Sequence, residues 1–261
     1  MQIVYFGNNK LSVQILEWLL NERENTSVMG LVHHPPDDGD YVSDLLELVN
    51  STNTFTFNAD ETSEEELKSF VHHESIRTGI SVLYGKILSK TLLEAFDKGV
   101  FNLHPAYLPY NRGAYPNVWS LYDDTPAGVT IHKMDEGIDT GDIVVQRKVD
   151  KEPTDTGKSL YKKLMIAAKK LFVEHWPDIE LNNYSLTPQD PEAGTYHERS
   201  DVEEIDEIDL DKEYTARELI NRLRARTFPP HDGVYFTEDG RRINCTIDLE
   251  YGDEADNDSI G

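Results

Sequence analysis

Asn102 and His104 stand two residues apart at the end of a short apolar run, Val100–Leu103. On an extended strand both side chains project from one face. Asp139 sits in a turn-rich segment, Asp135-Glu136-Gly137-Ile138-Asp139-Thr140-Gly141, between two strand-like runs. A carboxylate there can reach an imidazole at the neighbouring strand end. An Asn amide can hydrogen-bond a carbonyl oxygen as it gains charge. A His with near-neutral pKa can take the proton that an attacking amine loses. An Asp can orient that imidazole and stabilise its charged form. Together the three can run an acyl transfer to an amine without a protein nucleophile. By residue type alone such a triple also occurs by chance in a chain of 261 residues.

The elements that must position them alternate between strand and helix. Residues 2–6 are β-prone and end at Gly7-Asn8-Asn9; Leu11, Ile15, Trp18 and Leu19 then repeat with helical spacing. That first turn lacks GxGxxG, so it reads as a plain strand-to-helix turn rather than a dinucleotide site. Val28–Val32 reads as a strand, Val42 to Val49 as a helix, and Ser63 with Glu66 as a capping box before a third helix. Gly79–Tyr84 reads as a central strand and Leu88–Phe96 as a helix. This alternation predicts an α/β fold with a largely parallel sheet. Gly128–His132 and Asp142–Gln146 follow as strands. A long helix is predicted over about Lys158–Trp176, its Leu160, Leu164, Ala167 and Leu171 inward and its lysines in water.

Beyond Pro177 the chain turns polar, and Glu198–Asp211 is strongly acidic. Thr215 with Glu218 forms a second capping box before a stripe of Ala216, Leu219, Ile220 and Leu223. A hairpin over Gly233–Asp248 is predicted to turn at Asp239-Gly240. The expected organisation is a catalytic domain over 1–185, a small α+β region for substrate binding and dimerisation over 186–251, and an acidic tail over 252–261.

Composition narrows the partners. There are 49 Asp and Glu against 25 Lys and Arg, a formal net charge of -24. Such a field repels phosphate polymers and anionic membranes at long range. Neither nucleic acid nor membrane is an expected partner, although a local basic pocket can still hold a small phosphate. The carboxylate excess reads as a solubility device or as the surface of a protein from a high-salt cytoplasm. Cys245 is the sole cysteine, which suits a reducing compartment. With no leader-like N-terminus and no long apolar run, the expected location is cytoplasmic. His33, His34, His72, His73, His197 and His231 fit no metal-ligand spacing, and no metal is expected.

The wording around the triple is more specific. The run Asn102-Leu103-His104-Pro105-Ala106-Tyr107-Leu108-Pro109-Tyr110-Asn111-Arg112-Gly113-Ala114-Tyr115-Pro116 resembles the signature of the formyltetrahydrofolate-dependent formyltransferases. Gly128-Val129-Thr130-Ile131-His132, followed by Asp135 to Ile143, matches the same family. The resemblance covers roughly residues 1–180. It implies a Rossmann-like formyltransferase domain, 10-formyltetrahydrofolate as formyl donor, and Asn102, His104 and Asp139 as catalytic residues. It further implies a pterin site formed by Leu83, Tyr84, Gly85 and Ile87 with Asp135, Gly137, Ile138 and Asp142. Core packing is an equal reading of Leu83 and of Ile87 taken singly. His132 is expected to order the loop rather than to do chemistry.

Family members formylate initiator methionyl-tRNA, a purine-pathway ribonucleotide or nucleotide-linked amino sugars. The wording Tyr110 to Trp119, Tyr196-His197-Glu198-Arg199 and Arg224-Ala225-Arg226-Thr227-Phe228-Pro229-Pro230 resembles the nucleotide-sugar N-formyltransferases most. That resemblance implies a homodimer and a dTDP-4-amino-4,6-dideoxyglucose type of substrate. Tyr107, Arg112, Asn117, Trp119, Tyr196, Arg199, Arg224, Phe228 and Tyr235 are the expected substrate contacts. Arg199, Arg222, Arg224 and Arg226 are read as a cluster for the diphosphate; taken singly, pairing with Glu203, Glu204 or Glu207 is the slightly favoured reading of each. Methionyl-tRNA formylation and a non-catalytic folate- or nucleotide-binding protein are the rival readings.

Overall fold

A computed structural model describes residues 1–37, 41–190 and 192–252. Most of the predicted acidic tail therefore lies outside the described residues. One seven-stranded sheet organises the chain, in the order β3-β2-β1-β4-β5-β7-β8. Its parallel part comprises β1 (Gln2–Gly7), β2 (Ser27–His33), β3 (Phe55–Asn58), β4 (Thr78–Val82) and β5 (Gly99–His104). β7 (Gly128–Lys133) runs antiparallel to β5, and β8 (Ile143–Lys148) antiparallel to β7. This confirms the α/β, largely parallel architecture. β3, with its two exposed residues Phe55 and Thr56, lies at the sheet edge, where the apolar signal is weakest.

Central strands of such a sheet are covered on both faces and carry continuous apolar runs. In β1, Ile3, Val4, Tyr5 and Phe6 are all fully buried. Ile3 and Tyr5 pack in one core and Val4 and Phe6 in the other. The first core takes the inner stripes of α1 (Lys10–Glu22) and α6 (Gly157–Glu180). Phe172 and Trp176 stack there with ring centres 5.2 Å apart, and the Trp176 indole donates to Thr26 Oγ1 at 3.0 Å. The second core takes Leu67 and Val71 of α3 (Glu64–His73), with Phe57 and Phe96.

Several local expectations change. The helix predicted over Leu88–Phe96 is a single turn, α4 (Lys90–Leu93). Helix α6 continues through Pro177 to Glu180, beyond the predicted end at Trp176. Ser63 caps α3 by accepting from the Glu66 N–H. The predicted capping box at Thr215 and Glu218 is complete and opens α8 (Ala216–Arg226). The predicted hairpin is β10 (Val234–Glu238) with β11 (Arg241–Cys245); its turn residues, Asp239 and Gly240, both have positive φ, 49° and 71°. Helix α8 reverses the expected burial: Arg222, Arg224 and Ala225 are buried, while Ile220 is 42% exposed.

Candidate active site

The site lies at the carboxyl end of β5, where the parallel strands meet the antiparallel pair β7–β8. Strand ends of open α/β sheets are where such folds bind ligands. Phe101 and Leu103 pack into one core and Val100 into the other. The alternation of the strand therefore sends Asn102 and His104 to the Val100 side. Across the sheet, Asn102 is directly opposite His132 of β7.

Asp139 closes the group. One carboxylate oxygen, Oδ2, accepts the Gly113 N–H at 3.0 Å and stands 3.5 Å from His104 Nε2. The other, Oδ1, accepts from Asn102 Nδ2 at 3.3 Å and stands 3.3 Å from His132 Nε2. His104 Nε2 also lies 3.3 Å from the Asn111 carbonyl. Two acceptors at Nε2 place the ring proton there and leave Nδ1 as the nitrogen that can take another. His132, expected only to order the loop, reaches Asn102 as well as Asp139: its Nε2 is 3.1 Å from Asn102 Nδ2. The antiparallel pairing that faces it to Asn102 is the signal that would have included it.

Electrostatics divide the roles. Burial holds the His104 imidazole below its ordinary pKa, against the pull of Asp139, so the ring is neutral and basic at neutral pH. Burial pushes Asp139 up, but His104, His132 and the Gly113 N–H together hold its carboxyl well below the usual range. A neutral base beside a permanent carboxylate is the arrangement that accepts a proton from an attacking amine. No cluster of three or more metal-ligating side chains occurs among the described residues.

The loops around this group are strained. Asp139, Asn111 and Tyr115 have left-handed backbones, with φ of 55°, 58° and 54°. Each such residue costs of order 1–3 kcal/mol, and the surrounding structure must hold it. Buried Asn111 is held by its side chain, which donates to Ser120 Oγ at 3.0 Å and Thr125 Oγ1 at 2.9 Å. β6 (Arg112–Gly113) pairs with β9 (Tyr196–His197). A Cβ on Gly113, whose φ is 88°, would stand 2.3 Å from the His197 carbonyl. Only glycine permits that approach, which aims the Gly113 N–H at Asp139.

The expected pterin segment follows β4, beside the β5 end. Leu83 has φ 48°, Gly85 φ 76°, and Ile87 is 79% exposed, which excludes core packing for Ile87. Leu83 packs on the main core, and Tyr84 is buried edge-on against Phe6 and His34. Ile138 is 40% exposed on the loop beside Asp139. Asp135 shapes that loop, accepting from Gly137 N–H at 3.1 Å and Thr140 Oγ1 at 2.6 Å. The Asp142 carbonyl closes it by accepting the Lys133 N–H at 2.9 Å.

The expected substrate residues divide. Asn117 is buried and its amide donates to the Gly157 carbonyl at 3.0 Å. Arg224 is buried and donates to Asn221 and to the carbonyls of Glu152 and Pro153. The Asn117 amide and the Nε and Nη1 donors of Arg224 are thus engaged by protein. The expected arginine cluster does not form either. Arg226 makes a two-pronged pair with Asp206, and Arg222 donates to the Glu207 carbonyl at 2.8 Å beneath the Tyr214 ring. Phe228 lies edge-on to Tyr161, and Tyr235 lies under the Arg242 guanidinium. Arg112, Trp119, Tyr196 and Arg199 instead lie on, beside or against the β6–β9 pair, with Trp119 buried. Trp119 stacks on His197 with ring centres 3.9 Å apart. His197 neighbours Tyr196, and the Arg199 guanidinium reaches the Gly85 carbonyl at 3.4 Å. Tyr107 sits under the Lys148 ammonium and against Gly128, at the start of β7.

A family model described as formyl transferase matches residues 1–175. The chain belongs to the formyl transferase family. A second model, the N-formyltransferase dimerization C-terminal domain, matches residues 201–251. The dTDP-4-amino-4,6-dideoxyglucose formyltransferase of Mycobacterium tuberculosis is 35% identical over 150 residues, which is 57% of this chain and 64% of that protein. The chain thus matches somewhat under two thirds of that relative's length. Methionyl-tRNA formyltransferases match as well: that of Kosmotoga olearia is 33% identical over 183 residues, 66% of this chain and 57% of its own. Among solved structures, a 4-N formyltransferase from Francisella tularensis superposes with a TM-score of 0.82 at 25% identity, covering 96% of this formyl transferase and 98% of its own chain. The formyltransferase PseJ of Anoxybacillus kamchatkensis, solved with UDP-4,6-dideoxy-4-formamido-L-AltNAc and tetrahydrofolate, is 31% identical with a TM-score of 0.55, covering 75% and 98% of the two chains.

Proposed function

We propose that this formyl transferase is a sugar N-formyltransferase, moving a formyl group from 10-formyltetrahydrofolate to the amine of a nucleotide-linked amino-dideoxy sugar. The observation that carries the reading is the joint engagement of Asn102, His104 and His132 by one ionised carboxylate, Asp139. In the reaction the amine nitrogen bonds to the formyl carbon, the bond from that carbon to N10 breaks, and tetrahydrofolate leaves. Asn102 steadies the oxyanion on the formyl oxygen. His104 takes the amine proton, Asp139 holds the resulting imidazolium, and the proton passes on to the departing N10. The bare side chains of Ile87 and Ile138, flanking Asp139 and the β4 end, suit a flat pterin.

For the acceptor, Arg112 and Arg199 are the cations beside the catalytic loops, and we assign them to the diphosphate. Tyr196, 43% exposed, and Tyr107 supply the aromatic surface for sugar and base, with the buried Trp119 supporting it from behind His197. A dTDP-linked 4-amino-4,6-dideoxyglucose is the specific substrate favoured, by the similarity to the M. tuberculosis enzyme. Residues 1–185 would carry the chemistry, and residues 186–251 substrate binding and pairing as a homodimer in the cytoplasm.

The test incubates the protein with 10-formyltetrahydrofolate and a panel of 3- and 4-amino sugar nucleotides carrying dTDP, UDP or GDP. Mass spectrometry should show one formyl group gained by a sugar nucleotide. Turnover of charged initiator tRNA with none on any sugar would replace this reading with the tRNA one. Folate binding without turnover of either would leave a binding protein.

A further inference from the structure

The chain between the catalytic half and the C-terminal region does more than connect them. Residues 187–190 and 192–199 run past every loop of the site. Thr187 makes two backbone bonds with Ile143 of β8, at 2.8 and 2.9 Å. The Gln189 amide then donates to the Asp139 carbonyl at 2.8 Å and to the Gly141 carbonyl at 2.7 Å. Six residues on, Thr195 Oγ1 accepts the Asn111 N–H at 2.8 Å and donates to Asn111 Oδ1 at 3.2 Å. The Thr195 carbonyl accepts from Arg112 N–H, and the His197 carbonyl from Ala114 N–H.

These anchors fall on the residues whose backbones are strained. Asp139 and Asn111 are left-handed, and each is clamped by one connector side chain. Gly141, next along, has no room for a side chain, since its Cβ would stand 1.8 Å from the Lys133 carbonyl. The far end of the Asp139 loop is thus fixed against β7. Asp135 holds its near end, and Gln189 ties the Asp139 carbonyl between the two. On the other flank, Gly113 gives Asp139 its N–H from a loop that Thr195 and His197 hold.

Building on the function proposed above, we infer that Gln189 is a positioning residue for Asp139, and Thr195 for the opposing Asn111–Gly113 loop. One connector sets the catalytic carboxylate from both sides. Gln189 touches no reacting atom in this scheme; it acts through Asp139.

The charged and titratable groups that face His104 are Asp139 and His132. A displaced Asp139 supports the protonated imidazole less. Gln189→Leu should therefore lower kcat by about 10- to 100-fold, with KM for both substrates within about threefold. The acidic limb of the pH profile should move to lower pH. In an Asp139→Asn background the same change should cost less than about threefold, because a residue acting through Asp139 has little left to lose. Thr195→Val should lower kcat similarly, and Thr195→Ser should restore it. The His104 imidazole, assigned by its loss in His104→Gln and titrated by NMR in ligand-free protein, should titrate lower in Gln189→Leu than in wild type. That readout needs no substrate, so a wild type without sugar turnover would refute the function while leaving positioning decided by the titration. If Gln189→Leu does not fold, the Thr195 pair and its titrations decide the claim. Unchanged His104 titration with unchanged kcat, or an equal loss in both backgrounds, overturns it.

Discussion

Asp139→Asn is the most informative single change, because it keeps the volume of the side chain and removes its charge and one acceptor. Oδ2 accepts the Gly113 N–H and faces His104, while Oδ1 accepts the Asn102 amide. Whichever way the new amide settles, its NH2 meets a donor. An unpaired donor in this buried site costs about 1–3 kcal/mol, or about 5- to 150-fold in rate if the transition state bears all of it. The imidazolium that forms on His104 also loses its carboxylate, and an impaired general base costs about 10²–10⁴-fold. Both losses come from one carboxylate and overlap, so we expect kcat about 10³–10⁴-fold below wild type. KM should change less than about threefold, since Asp139 contacts protein groups rather than ligand. The pH dependence has a definite sign. Burial lowers the His104 pKa and Asp139 opposes that shift, so the wild-type rate is flat near neutrality and falls as pH drops through the lowered value. Without Asp139 the acidic limb must move further down. Quantifying N-formyl product between about pH 5 and 8, under saturating substrates, measures both. A variant within tenfold of wild-type kcat, or a limb that moves upward, refutes the assignment.

Three further outcomes follow from the C-terminal region and the charge. Thr215→Ala removes the α8 cap, where the Thr hydroxyl accepts from Glu218 N–H at 3.1 Å; chemical denaturation should show a loss of about 1 kcal/mol, with the m-value unchanged. Ile220 and Ile243 are 42% and 40% exposed on the segment that matches a dimerization domain, so light scattering should find wild type as a dimer and Ile220→Glu/Ile243→Glu as a monomer. Raising NaCl from about 50 to 200 mM should change the sugar-nucleotide KM less than about fivefold, where a tRNA ligand would lose about 10³-fold or more in affinity; a steep loss would count for the tRNA reading.

How far the sequence reveals the fold depends on burial. Strands with both faces covered, such as Ile3–Phe6, show as unbroken apolar runs. β3 is an edge strand with two exposed residues and is missed for that reason. Pro177 looks like a helix end, yet Ile179 is still buried against the core and the helix continues to reach it. The arginines mislead in the opposite direction. In α8 a cationic stripe reads as ligand-facing, but Arg222 and Arg224 bury their guanidinium groups on backbone carbonyls of neighbouring loops. No local pattern reports that, because the acceptors are main-chain atoms far away in sequence.

The triple itself is legible, since two of its members share a strand face and the third a glycine-flanked loop. What surrounds it is not. Gly113 serves through its N–H, Asn111 through its carbonyl, and Gln189 by gripping two carbonyls. These contributions depend on backbone position and so leave no residue-type signature of chemistry. The same holds for the field. A net charge of -24 disfavours a large phosphate polymer more readily than it identifies a small anion's site, because a small anion needs only one or two local cations. With Arg222, Arg224 and Arg226 consumed by the fold, Arg112 and Arg199 remain beside the catalytic loops. Both lie on segments tied to the connector, Arg112 through its pairing with Thr195 and Tyr196 and Arg199 at its end. Under the proposed function, anion binding and the alignment of Asp139 would therefore draw on one stretch of chain.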